Sequence, residues 1–322
     1  MTSVGSEVLI VGAGVSGLTT GVCLAERGVR VRILAERGPE ETTSANAGAI
    51  WDPIYANHPK VFEWSGRTYD VLAALVAEGR PEVRMVPGVE ASRARIDPPR
   101  WARTLPGYRV CTPEELPGGF LSGWHYTAPI IDMRPYLRYL AARLARAGGT
   151  IASGRLETLD EALALASIVV NCSGAGARDL VPDPEVEPIR GQLVAVRNPG
   201  IAEFFAEHTA ELGEMTYVLP QGDVLLLGGS ADKGQAEPVP DPAVAHGIIA
   251  RCALVFPEVA HAEVLGHRTG IRPQRPRIRL EHVALGDRHL VHNYGHSGAG
   301  VSLSWGCATD VAELVASLPD RR

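Results

Sequence analysis

Two glycine-rich segments at opposite ends of the chain carry residue types that can hold a phosphate-bearing cofactor. The first is Val8-Leu9-Ile10-Val11-Gly12-Ala13-Gly14-Val15-Ser16-Gly17. Gly12 suits a tight strand-to-helix turn, Gly14 lets a pyrophosphate approach bare backbone, and Gly17 lets the helix lie close on the strand. The amides of this turn, through Ala13, Val15 and Ser16, then face the phosphates, and the helix dipole favours their charge. Glu36 follows at the end of the next strand-like run, where a carboxylate accepts from the adenosine ribose hydroxyls. An acid there repels the extra phosphate of NADP. The second segment runs from His292 to Gly306 and reads as a loop entering a helix. Folded back beside the first, it would hold one cofactor from both ends. That suits a buried flavin better than a nicotinamide that leaves after each turnover.

The elements that must position these residues are legible in outline. Residues 7–11 are short, apolar and β-branched, as a buried parallel strand should be. Leu18, Val22 and Ala25 recur at helical spacing before Gly28, and residues 29–34 alternate like a second strand. Residues 132–147 predict a helix with Asp132 as its cap, a buried stripe of Met133, Leu137, Leu140 and Leu144, and a stop at Gly148-Gly149. Residues 167–172 predict another buried strand, followed by the small-residue turn Ser173-Gly174-Ala175-Gly176. From Arg190 to about Arg279 the pattern is β, with Arg275, Arg277 and Arg279 alternating as on one strand face. Leu290–Tyr294 is a further strand, and residues 301–317 a closing helix. Residues 52–130 hold prolines, aromatics and short mixed runs, and are read as leaving the first domain. The fold class is therefore α/β, with a discontinuous Rossmann-like domain and a second, mostly antiparallel β-sheet domain. The first takes residues 1–51, 131–189 and 280–322; the second takes 52–130 and 190–279.

Composition narrows the function classes. A chain of 322 residues is comfortable for two domains. A formal charge of −6 without a long basic run gives no reason to expect nucleic acid. No targeting segment or membrane span is expected, since the run Val8–Val11 is far too short. Cys23, Cys111, Cys172, Cys252 and Cys307 lie far apart with no C-x-x-C, which reads as reduced thiols in a cytoplasmic protein. No metal site is expected, because glycine near His292 and His296 argues against a helix that would align them.

One further pattern is distinctive. Gly270-Ile271-Arg272-Pro273, running on to Glu281, is followed by His292-Asn293-Tyr294-Gly295-His296-Ser297-Gly298-Ala299-Gly300. Together they resemble the paired signature of the D-amino-acid oxidase family. Thr42-Thr43-Ser44-Ala45-Asn46-Ala47-Gly48-Ala49-Ile50-Trp51 resembles that family's threonine-rich flavin loop. Val169 to Gly174, Arg190-Gly191-Gln192 and Tyr217-Val218-Leu219-Pro220 match in kind and order. The likeness covers nearly the whole chain and is weakest over residues 52–130.

The resemblance implies non-covalent FAD and an activity. Gly12 to Gly17 would bind the pyrophosphate, and Glu36 and Arg37 the adenosine end. Thr42, Thr43 and Ser44 would add polar contacts, with Ala49 and Ile50 lining the flavin. Gly298, Gly300, Val301 and Ser302 would bring backbone N–H groups to its N1–C2 edge. Arg272 would grip the substrate carboxylate and Tyr217 would donate to it, with a carbonyl near Ser297 or Gly298 facing the amine. The implied reaction is oxidative deamination of a D-amino acid by hydride transfer from Cα to flavin N5. O2 is reduced to hydrogen peroxide, and the imino acid hydrolyses to an α-keto acid and ammonia. The family's acid-specific members carry an arginine where this chain has Ala231, which points to neutral, apolar side chains. Gly213 stands where better-known members have a second tyrosine. A homodimer is compatible with the resemblance. A glycine or sarcosine oxidase, or a D-aspartate oxidase, is the alternative on the same fold. An NAD-dependent dehydrogenase would leave the C-terminal signature unused.

Overall fold

A computed structural model describes residues 7–209 and 213–319. In chain order its strands are β1 (Val8–Val11), β2 (Val31–Ala35), β3 (Val83–Ser92), β4 (Arg109–Val110), β5 (Ser122–Ile131), β6 (Thr150–Ser153), β7 (Ile168–Asn171) and β8 (Glu187–Arg197). There follow β9 (Phe204–Glu207), β10 (Tyr217–Gln221), β11 (Val224–Gly228), β12 (Asp232–Lys233), β13 (Val264–Gln274), β14 (Arg279–Leu285) and β15 (Arg288–Tyr294). The α-helices are α1 (Val15–Ala25), α2 (Val61–Ala77), α3 (Met133–Arg146), α4 (Leu159–Leu165), α5 (Ala177–Leu180), α6 (Pro242–Ala253) and α7 (Gly300–Ser317).

The first sheet has the order β14-β15-β7-β1-β2-β6, parallel except for β14. β1 has parallel neighbours on both sides and helices on both faces. Leu18 and Val22 of α1 and the α3 stripe Met133, Leu137, Leu140 and Leu144 belong to one core, all fully buried. Leu159 and Leu163 of α4 meet Leu9, Val11, Val169 and Leu290 on the other face. That double burial is why β1 is apolar at every position rather than alternating. Asp132 occupies the N-cap of α3 but its carboxylate makes no capping hydrogen bond, contrary to the expectation from sequence. β6 was not legible beforehand, because it is a short, largely exposed edge strand without an apolar signature.

The second sheet runs β12-β8-β11-β10-β9-β3-β5-β4, with β13 also paired to β8. It is antiparallel apart from the β3–β9 pair. Its strands alternate between two cores. Val194, Val196, Phe205, Val218, Leu225 and Leu227 pack with α6, whereas Leu193, Ala195, Ala206, Leu219 and Leu226 face the core shared with the first sheet. Cross-strand register places Leu193, Gly228, Tyr217, Ala206, Glu90 and Trp124 directly opposite one another on successive strands. They therefore share the inner face.

Two expectations change. Residues 52–130 contain the long helix α2, which packs on α7 so closely that a Cβ at Gly306 would lie 2.3 Å from the Trp64 backbone. The Gly306 amide donates to Thr68 Oγ1 (3.1 Å), and Trp64 Nε1, Lys60 and Arg67 all donate to Asp310. The arginine run also divides. β13 ends at Gln274, and Arg275 turns out of the strand to bond Asp183 (3.1 Å) and Glu185.

Candidate active site

A cleft of about 790 Å³ is lined from both sheets and takes in most of the residues singled out by sequence. At one end β1 enters the turn at Gly12, whose φ of +105° only glycine adopts without strain. A Cβ there would stand 2.5 Å from the Cys172 carbonyl oxygen, and one at Gly17 would stand 1.9 Å from the Gly12 carbonyl oxygen. Gly12, Ala13, Gly14, Val15 and Ser16 line the cleft. Gly17 does not; its part is to seat α1 against the turn, so its expected place among the phosphate contacts is corrected. Beside it the cleft is lined by the turn Ser173 to Gly176, which the sequence marked as small-residued but did not assign to the site.

Glu36 and Arg37 follow β2 and line the same end. Glu36 is ion-paired with Arg155 at 3.2 Å, and both side chains are more than half exposed. A pair that open to water is worth about 0–1 kcal/mol, so Glu36 can exchange it for a ligand hydroxyl. The threonine-rich loop is partly spent on architecture. Thr42 Oγ1 donates to the Pro39 carbonyl (2.7 Å), Thr43 Oγ1 accepts from the Ile271 amide (3.2 Å), and Ser44 Oγ accepts from the Val15 amide (3.0 Å). Thr43 thus ties the loop to the strand bearing Arg272, and Ser44 fixes the start of α1.

Ala49 and Ile50 line the cleft, as do Ser297, Gly298 and the first residues of α7, Gly300, Val301 and Ser302. α7 begins at Gly300 and its N-cap, Ala299, has no side chain that can cap it, so among the described residues the first-turn amides have no side-chain acceptor and their partial positive charge faces the cleft. Ala49, Tyr55 and Ser297 have positive φ (53°, 64° and 53°) and all line the cleft. Strain concentrated at one place is a mark of a functional constraint. His296 is buried in the wall with no partner for Nε2 among the described residues, and burial pulls its pKa down to about 4, so the imidazole is neutral.

At the far end Arg272 and Tyr217 stand together. The guanidinium lies over Gly191, where a Cβ would meet it at 2.4–2.6 Å. Arg272 Nη1 donates to the Ser230 carbonyl (2.8 Å). The Tyr217 ring covers Gly228 and Gly229. Burial pushes the Tyr217 phenol up, opposed by the hydrogen-bonded positive charge of Arg272. A cation with a spare face beside a protonated phenol can bind a carboxylate by two charge-assisted bonds and a third from the hydroxyl. Gly213 does not line the cleft, and a Cβ there would meet nothing within 4 Å.

Sequence reasoning missed Asp52 and Tyr55, which also line the cleft. The Asp52 amide donates to Ser302 Oγ (3.0 Å), and Tyr55 Oη is hydrogen-bonded to Thr209 Oγ1 (2.9 Å). Asp52 follows Trp51 and precedes Pro53, so it read as an ordinary loop acid; nothing local signals burial.

The residues present fit a dinucleotide flavin cofactor. Two helix N-termini open on one cleft, and the turn from Gly12 to Ser16 lines it. Such a site accepts a pyrophosphate at one helix and an electron-rich ring edge at the other.

Comparison with known proteins agrees. A family model described as FAD dependent oxidoreductase matches residues 7–314. The chain is 47% identical to a D-amino-acid oxidase of Streptomyces coelicolor over 313 residues, covering 96% of each. It is 44% identical to a D-amino-acid oxidase of Rubrobacter xylanophilus (96% of this chain, 95% of that one) and 32% identical to a human D-aspartate oxidase (96% and 94%). The solved glycine oxidase of Geobacillus kaustophilus superposes with a TM-score of 0.80 over 98% of this chain and 96% of its own, at 20% identity, which speaks for the fold.

Proposed function

The chain belongs to the FAD-dependent oxidoreductase family, and from that premise we propose how its cleft carries out the oxidative deamination of D-amino acids. The enzyme is an FAD-dependent oxidase of D-amino acids. When bound, FAD supplies the two-electron acceptor and is reoxidised by O2 to give hydrogen peroxide. The imino acid then hydrolyses to an α-keto acid and ammonia.

The protein's own part is positioning. The turn from Gly12 to Ser16 holds the pyrophosphate, Glu36 and Arg37 the adenosine end, and Ala49, Ile50 and the first turn of α7 the ring. Arg272 and Tyr217 fix the substrate carboxylate, and the backbone carbonyl near Ser297 or Gly298 accepts from the amine. Carboxylate, amine and Cα–H are three fixed points, so an L-enantiomer would put its side chain where its hydrogen is needed. No general base is invoked, because the neutral amine already carries the electron pair that assists Cα–H cleavage. The contact between Arg272 and Tyr217 in a cleft shared with the glycine turn is the observation that carries this reading. Neutral rather than acidic side chains are favoured, since Ala231 offers no cation.

The two sheets support dividing the chain into a cofactor domain and a substrate domain at the boundaries given above. Cytoplasmic residence is supported by five scattered free thiols, and a homodimer by the family resemblance. No described helix is long and apolar enough to cross a membrane. The test is a panel of D-alanine, D-valine, D-aspartate, glycine and sarcosine on the purified holoenzyme, read by peroxide and by anaerobic bleaching. D-Alanine and D-valine are expected to give both; peroxide from glycine and sarcosine alone would move the activity to the alternative.

A further inference from the structure

The loop that carries Ala49 and Ile50 joins the second sheet through an incomplete ladder. Ile50 bridges Ile130 of β5 in antiparallel register. The Ile131 amide donates to the Ala49 carbonyl (2.9 Å) and the Trp51 amide to the Pro129 carbonyl (2.8 Å). Those two bonds flank Ile50 and Ile130, so Ala49 and Ile131 are the adjoining pair, in which each amide would donate to the other's carbonyl. Only half of that pair is made. Among the described residues the Ala49 amide has no acceptor, and Ala49 leaves the ladder at a φ of 53°. Its place on the Ile131 carbonyl is taken by a side chain, Gln221 Nε2, at 2.9 Å.

Gln221 is the last residue of β10, the strand that begins with Tyr217, and is 6% exposed. Its Nε2 also donates to the Gly48 carbonyl (3.3 Å). Two carbonyl oxygens face this amide, and only its NH2 end can serve both. Oε1 is left without a partner among the described residues, so the side chain satisfies the loop at its own cost. Gly48 in turn lies on the strand: a Cβ there would stand 3.1 Å from Leu219 Cδ1 and 3.3 Å from Tyr217 Cε2. The cleft loop, β5 and the strand of Tyr217 therefore meet at one side chain. The amide that it replaces belongs to a residue lining the cleft.

We propose that Gln221 is a positioning residue for the flavin. By occupying the Ile131 carbonyl it keeps the Ala49 amide free to bond the ring, and by holding the Gly48 carbonyl it fixes the loop against the strand of Tyr217. This rests on the reading that Ala49 and Ile50 line the flavin. Ile131 is fully buried, so without Gln221 its carbonyl would be left unpaired. The Ala49 amide is the donor in register to close on it. The ladder would then be complete, and the ring would lose a hydrogen bond. Among the described residues neither the Arg272 nor the Tyr217 side chain is bonded to Gln221, so the carboxylate site keeps its own contacts.

The test uses Gln221→Met and Gln221→Leu, which keep much of the bulk and remove both donors. In each, the Kd of FAD, from titration of the apoprotein, is expected to rise about tenfold, as for one lost hydrogen bond, and the visible band of the bound flavin to shift. The limiting rate of anaerobic flavin reduction by D-alanine is expected to fall about tenfold, while the Kd of propionate, an unreactive carboxylate, stays within about twofold of wild type. A role in stability alone would lower the melting temperature and move none of these. A second measurement needs no variant: NMR of the wild-type holoenzyme before and after reduction with dithionite. The Ala49 amide resonance is expected to move more than those of Trp51 and Ile131, whose protons lie on carbonyl oxygens. An Ala49 amide that moves, in company with variants that keep wild-type FAD affinity, spectrum and limiting rate, overturns this inference alone. An Ala49 amide that does not move overturns the placing of the flavin and this inference with it. A wild type that no D-amino acid bleaches overturns the proposed function, and the FAD affinity and spectrum of the variants then decide the role of Gln221.

Discussion

The two ends of the cleft are built from different material. The end proposed for the cofactor is main chain: the Gly12 turn, the backbone of Gly14 and the amides opening α1 and α7. The end proposed for the substrate is side chain: Arg272 over Gly191 and Tyr217 over Gly228 and Gly229. Backbone recognition tolerates most substitutions but fails wherever a glycine gains a Cβ. Side-chain recognition can be retuned one residue at a time without disturbing the fold. A scaffold made this way keeps its cofactor while its substrate changes, which matches a family whose members here include oxidases of different amino acids.

The comparison breaks most sharply at Gly17. Gly17→Ala places a Cβ 1.9 Å from a backbone oxygen, with no flexible atom to yield. We expect a loss of more than about 4 kcal/mol of stability and purification without bound flavin, read by melting and the visible spectrum. At the substrate end the cofactor should survive. Arg272→Ala is expected to lower kcat/KM by about 2–5 kcal/mol of transition-state binding while the protein stays yellow. Near-wild-type kcat/KM there would end the assignment of Arg272. Tyr217→Phe removes one hydroxyl from the same carboxylate and should cost about 1.5–3 kcal/mol in kcat/KM, again with flavin retained.

Acid sharpens the contrast in another way. His292 and His296 are both buried and both held down to about pKa 4, mainly by burial. The unfolded chain binds these protons near pH 6.5 and the folded chain does not, so stability is full above that value and falls as pH drops towards 4. The slope should reach about 1.4 kcal/mol per pH unit for each histidine, measured as denaturant midpoints across that window. His296→Gln should flatten part of it. The smallest effect is expected at Ser44→Ala, which frees the Val15 amide at the start of α1. A loss of about 0.5–2 kcal/mol in melting stability is expected, with kcat/KM little changed.

How far the sequence could be read depended on whether the signal was local. The β1-α1-β2 unit, the α3 stripe and the closing helix stood out because apolar period and glycine stops are written in consecutive residues. Helix α2 did not. Its buried face is Val61, Trp64, Ser65, Thr68, Leu72 and Leu75, at helical spacing, but two members are polar and bond backbone carbonyls, Thr68 also taking the Gly306 amide. The exact use of Thr43 and Ser44 was also hidden, since a hydroxyl shows its partner only after folding.

By itself the sequence determined the cofactor turn and the class of fold, and its resemblance to a family implied the pairing of Arg272 with Tyr217. Each of those depends on residue type at short range, or on a pattern long enough to be distinctive. Only the tertiary structure decided that Asp52 reaches the cleft with its amide on Ser302 Oγ, that Gly17 supports the turn rather than lining it, and that Ala206 and Glu90 continue the row from Tyr217. Burial, charge coupling and strand register arise between segments distant in the chain, and no window of consecutive residues contains them.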